Sequence, residues 1–131
     1  MEQNEQKKDT RIEAEFDGAI EIKPFDISPY VGMKGTIENV ETHYNNKLDS
    51  YYLLVKTATV AYLDDEKTKP VCASRIYSLL SQDGKFGWRK GGALDLFLIE
   101  HQASKPDELK GKEVLMFPSK PNKEGIKFLT F

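Results

Sequence analysis

The run SYYLLVKTATVAYL at residues 50–63 constrains the fold more than any other segment. Aromatic and β-branched side chains suit a pleated, half-buried surface and lose rotamer freedom in a helix, so this stretch is expected to be a strand. A strand needs partners for its backbone, and the flanking sequence supplies them. Before it, VGMKGTIENVETHY (31–44) reads as a long strand in which Ile37 and Val40 fall on opposite parities. A bulge near Glu38-Asn39, or burial on each face in turn as the strand bends, reconciles the two, and Gly32 and Gly35 are further places for curvature. The turn Asn45–Asp49 joins these strands, and after the acidic loop 64–69 a third strand is predicted to begin at Val71 and to end at the turn Gln82-Asp83-Gly84-Lys85.

After Trp88 the pattern changes. Gly91-Gly92 precede Ala93, Leu94, Leu96, Phe97, Leu98 and Ile99, which do not alternate. Leu94, Phe97 and Leu98 stand at i, i+3 and i+4, which predicts a helix from about Ala93 to Gln102, with a fully buried strand as the alternative. A polar loop (106–111), a strand from Val114 to Phe117, a turn at Asn122–Gly125 and a last strand from Ile126 to Phe131 complete the body. Nothing repeats at a fixed period, so repeat architectures are set aside.

Upstream, residues 1–10 are polar throughout and are expected to form a solvated tail. Residues 11–30 are expected to be a strand or hairpin packing on the body. Ile12, Ala14 and Phe16 alternate, Asp17-Gly18 interrupts, Ile20 and Ile22 resume, and Pro24 and Pro29 close the segment. The N-terminus lacks the apolar centre of a signal peptide and no apolar run approaches the roughly 20 residues of a membrane span, so an intracellular protein without a membrane partner is expected. At 131 residues, with 39% hydrophobic and 31% charged, the chain suits one core and not a two-domain enzyme. Lone Cys72, between Val71 and Ala73, is expected to act as a small buried hydrophobe.

The order strand, strand, strand, helix, strand, strand over residues 31–131 resembles the OB-fold, a five-stranded Greek-key barrel with a helix between its third and fourth strands. The bulged, glycine-containing first strand and the turn Leu109-Lys110-Gly111-Lys112 before the fourth support the resemblance. It implies a mostly β body whose second and third strands and adjoining loops bind oligonucleotides. An architecture is not a function, so the site is argued from its residues.

A formal net charge of −2 argues against a surface coated in cations. Along the chain, however, residues 1–30 hold four basic and eight acidic side chains, and residues 31–131 hold 15 and 13. The slightly basic body leaves room for a modest phosphate-binding face, with which the acidic arm either competes or does not interact. Non-specific binding of single strands needs rings for bases and cations for phosphates. Lys85-Phe86-Gly87-Trp88-Arg89-Lys90 offers both, and is the preferred contact; the alternative is that Phe86 and Trp88 roof one end of the barrel. Tyr52 and Lys56 on the second strand, Arg75 and Tyr77 on the third, and Tyr44 at the end of the first are expected to extend the surface, though the parity of residues 73–80 leaves the wet face open. Expected partners are single-stranded DNA or RNA, together with other replication proteins or further copies of the chain. The alternative is a protein-interaction or assembly subunit using the same face.

Catalysis is not expected. His43 and His101 lie in different elements with no metal-ligand spacing, and Gly84-Lys85-Phe86-Gly87 lacks the residues of a phosphate-cradling loop. Asp64-Asp65-Glu66 points in several directions and suits a solvated turn. No cofactor and no metal are expected. Phe131 ends the chain as phenylalanine ends the acidic tails of bacterial single-stranded-DNA-binding proteins, but Lys127-Phe128-Leu129-Thr130 is basic and apolar, as befits a closing strand.

Overall fold

The computed structural model describes residues 13–19 and 25–131. Its centre is a curled antiparallel sheet of five strands in the order β6-β5-β2-β1-β7, formed by β1 (Lys34–Asn45), β2 (Ser50–Thr57), β5 (Ser74–Gln82), β6 (Lys85–Gly87) and β7 (Glu113–Leu115). Two short ladders flank it: β3 (Ala61–Tyr62) with β4 (Pro70–Val71), and β8 (Phe117–Pro118) with β9 (Leu129–Thr130). One α-helix among the described residues, α1 (Ala93–Glu100), follows β6 in the chain. The described residues are thus mostly β, a half-barrel with that helix.

The register of β1 against β2 shifts between Ile37 and Asn39, which is the bulge expected there. It leaves Ile37, Val40 and Thr42 on one face, opposite Thr57, Val55 and Leu53. An extra residue on one strand bends it and increases its twist, and here it separates the part of β1 that pairs with β7 from most of the part that pairs with β2. The inner face contributes Ile37, Leu53, Val55, Tyr77 and Leu79 to the core, α1 contributes Leu94, Phe97 and Leu98, and Leu109, Met116, Leu129 and Phe131 close it. Phe131, 5% exposed, packs its ring 5.8 Å from Phe97, so the C-terminal segment serves the core.

Four expectations about the elements are corrected. The run 50–63 is two strands, not one, because β2 ends at Thr57. Thr57 is buried, and its hydroxyl accepts the Ala73 N–H at 2.9 Å while donating to the Ala58 carbonyl at 3.1 Å. These bonds hold the chain where it leaves the sheet to make β3. The third predicted strand is similarly divided between β4 and β5, and the last one shrinks to Leu129–Thr130. The loop 106–111 contains a 3₁₀ turn, Pro106–Leu109, that seats Leu109 fully in the core. Burying such a side chain stabilises by roughly 1.5–3 kcal/mol, which explains why a polar stretch carries an ordered turn.

Part of the alternation at 11–23, and the tail before it, lie outside the described residues. Residues 13–19 are exposed and belong to no strand among the described residues, with Phe16 92% exposed. Ile27 and Tyr30 pack against the core, and the Phe25 and Tyr30 rings stack at 6.2 Å. No helix among the described residues is long and apolar enough to cross a membrane.

Candidate nucleic-acid interface

The hairpin β5–β6 places the ring-and-cation segment. Its two-residue turn, Asp83-Gly84, has positive φ at both positions (54° and 78°), as a tight hairpin matching the sheet twist requires. Lys85 then faces Gln82, Phe86 faces Ser81 and Gly87 faces Leu80 across the ladder. Trp88 follows β6 and is half-buried against the core. Its indole N–H donates to Asp95 Oδ1 at 3.0 Å, and Asp95 Oδ2 accepts the Gly91 N–H at 2.8 Å. One carboxylate in the first turn of α1 therefore ties the Gly91 amide and the tryptophan to the helix start. The Gly91 N–H, then the Trp88 indole, hold the Asp95 carboxyl below its ordinary value.

Trp88 borders three neighbouring clefts. In the first, of about 380 Å³, Phe86 and Trp88 face Lys105, Pro106 and Asp107 over a floor that includes Val40, Leu53 and Leu79, with Thr42 at its side. The second, about 420 Å³, lies between β5 and the start of α1 and includes Arg75, Leu80 and Arg89. Leu80, Gln82, Lys85 and Phe86 line the third, about 480 Å³. Phe86 is 53% exposed, its ring 4.7 Å from Tyr51 in an edge-on contact, and Tyr51 lies 5.0 Å from Tyr44. The rings of Tyr44, Tyr51 and Phe86 thus form a continuous row across β1, β2 and β6. Lys85, Arg89, Lys90 and Lys105 take part in no ion pair among the described residues.

The remaining predicted residues divide. Tyr52 and Lys56 lie on the outer face with His43, whose ring stacks on Tyr52 at 5.4 Å. Glu41 accepts from His43 at 2.8 Å and pairs with Lys56 at 3.5 Å, so this cation is already matched, and the His43 contact chiefly lowers the Glu41 carboxyl. Arg75 reaches back into the fold: its guanidinium lies 4.9 Å from the Tyr77 ring and donates to the Phe131 carbonyl at 3.0 Å. Tyr77 is a correction. It is 3% exposed, packs on Phe97 at 5.5 Å, and cannot stack on a base. Tyr44 is exposed, but its hydroxyl donates to Asp49, and that bond raises its pKa.

Sequence reasoning missed Tyr51, Lys105 and Asp95. Tyr51 shares the core parity of Leu53 and Val55, yet stands near the strand end, where the inner face reaches the surface. Asp95 was legible as an acidic residue in a helical first turn; nothing local marks Lys105. Among the described residues no group of three or more His, Cys, Asp or Glu could hold a metal ion. Asp64 instead caps its own loop, accepting from the Thr68 and Lys69 amides, each at 3.0 Å. Cys72 is partly buried, which raises its thiol pKa and favours the unreactive protonated form. Comparisons with models of protein families, with curated proteins and with solved structures find no match for this chain.

Proposed function

We propose that this chain is an OB-type Greek-key barrel that binds single-stranded nucleic acid, DNA foremost, with little sequence preference, inside the cell during replication, recombination or repair. It acts as a binding module and not as an enzyme. The observation that carries the reading is Trp88 standing at the junction of three clefts, with Phe86 beside it and Lys85, Arg89 and Lys105 on their walls without ion-pair partners among the described residues. Rings accept any base face, and cations track phosphates whatever the sequence. With four such cations counting Lys90, log affinity should fall against log salt with a slope of roughly −3.

Titration of an oligo-dT at several salt concentrations tests this. Expected are a slope near that value and quenching of Trp88 fluorescence, with weaker binding when Trp88→Ala or the pair Arg89→Ala/Lys90→Ala is introduced. Binding at full strength by both variants would overturn the site.

A second reading, an assembly subunit, draws support from Ile76 and Leu80, 61% and 51% exposed on β5. Such apolar side chains suit burial against another chain. Failure to bind oligo-dT at low salt, together with a dimer or larger species in solution, would favour it.

A further inference from the structure

We propose that the cleft between β6 and the Lys105–Asp107 turn admits one unpaired base of the bound strand. The proposal rests on the single-strand reading above and names where in the interface a base enters. The cleft measures about 380 Å³, has an apolar floor, and is bounded by the Phe86 and Trp88 rings on one side and by Lys105 and Pro106 on the other. A base presents the matching chemistry: two flat apolar faces, a polar edge and an anion tethered one sugar away. Side chains two residues apart on an extended chain attach roughly 7 Å from each other, so Phe86 and Trp88 form a broad wall and not a single ring.

Polar groups are few. Thr42 on β1 and Asp107 at the turn are the uncharged hydroxyl and the carboxylate within reach of the rim. A site with so few hydrogen-bonding groups accepts the shape of a base without selecting its identity, in keeping with stacking-based recognition. A free nucleotide fits less well. Its phosphate would need a backbone cradle, and α1 begins outside the residues that line this cleft. Phosphates are met instead by side chains. Lys105 stands in this cleft, and Lys85 stands in the adjoining cleft that shares Phe86 and Trp88. A strand that inserts one base here would cross the aromatic wall with a cation on each side.

The test uses the whole chain and oligo-dT. Thr42→Phe fills the cleft while sparing its rings and cations; it should cost at least roughly five-fold in affinity through lost stacking, with the salt slope unchanged. Lys105→Ala should make the slope shallower by about 0.7, and Lys56→Ala should not change it. On the unaltered chain, oligo-dT should protect Lys105 and Lys85 from amine acetylation while Lys56 stays reactive. This last measurement needs no variant to fold. Binding by the unaltered chain together with an unprotected Lys105, or with both Thr42→Phe and Lys105→Ala behaving as the parent, overturns the cleft and leaves the function standing. No oligo-dT binding by the unaltered chain at low salt overturns both.

Discussion

Tyr77 shows how a single side chain escapes a pattern. On β5 the alternate sets 75/77/79 and 74/76/78/80 hold similar apolar content, so parity does not choose the inner face. Pairing with β2 chooses it: Tyr77 lies opposite Leu53 and is turned inward, while Ile76 and Leu80 are left in solvent. The cost falls on the hydroxyl, which is buried with no hydrogen-bond partner among the described residues. Leaving such a group unmatched costs roughly 1–3 kcal/mol, so Tyr77→Phe should keep or raise stability, by about 1 kcal/mol, in urea unfolding. A clear loss would mean that the hydroxyl is satisfied. Burial also pushes the Tyr77 phenol up to about 12 from its ordinary 10.0. A raised acid stabilises the fold below its unfolded value, and that stability is lost as pH rises through the folded one. Unfolding should therefore become easier between pH 10 and about 12, and less so in Tyr77→Phe.

Among elements, those written in local chemistry were legible and those made by distant partners were not. The bulge near Glu38 follows from the clash of parity between Ile37 and Val40, the helix from the spacing of Leu94, Phe97 and Leu98, and the hairpin turn from Asp83-Gly84. By contrast β6, β8 and β9 are two or three residues long, too short for any period to show, and exist because a neighbouring strand offers its edge. The site suffered accordingly. Trp88 and Phe86 stood out by composition, whereas the opposing wall at Lys105 comes from a turn 17 residues further on. Gly35 tests how closely the β1–β7 contact is packed. A Cβ there would come within 2.9 Å of Met116 Sδ and 3.0 Å of Thr57 Cγ2, both on buried side chains. Gly35→Ala should lower stability by roughly 1–3 kcal/mol, measured by denaturant midpoint at constant m-value.

For the molecule as a whole, the net charge of −2 says less than its placement. Among the described residues five carboxylates sit below their ordinary values because local hydrogen bonds favour the charged form: Asp26 with Ser28, Glu41 with His43, Asp64 with Thr68, Asp95 with the Gly91 N–H and Glu108 with the Ser104 N–H. A depressed acid contributes stability above its unfolded value and loses it as pH falls through the folded one. The melting temperature should hold as pH falls toward 4.5, then decline beneath 3.8, the ordinary glutamate and aspartate values. An unchanged melting temperature down to pH 2.5 would contradict this. The bulge in β1 stores one residue of slack in the longest strand, next to Asn39. Removing Glu38 would keep Ile37, Val40, Thr42 and Tyr44 on the inner face and straighten the ladder, whereas removing one residue between Thr42 and Tyr44 would turn one side of the strand over. In the language of insertions and deletions, this strand has one position where its length is free to change by a single residue, and the curl of the half-barrel is what that change would spend.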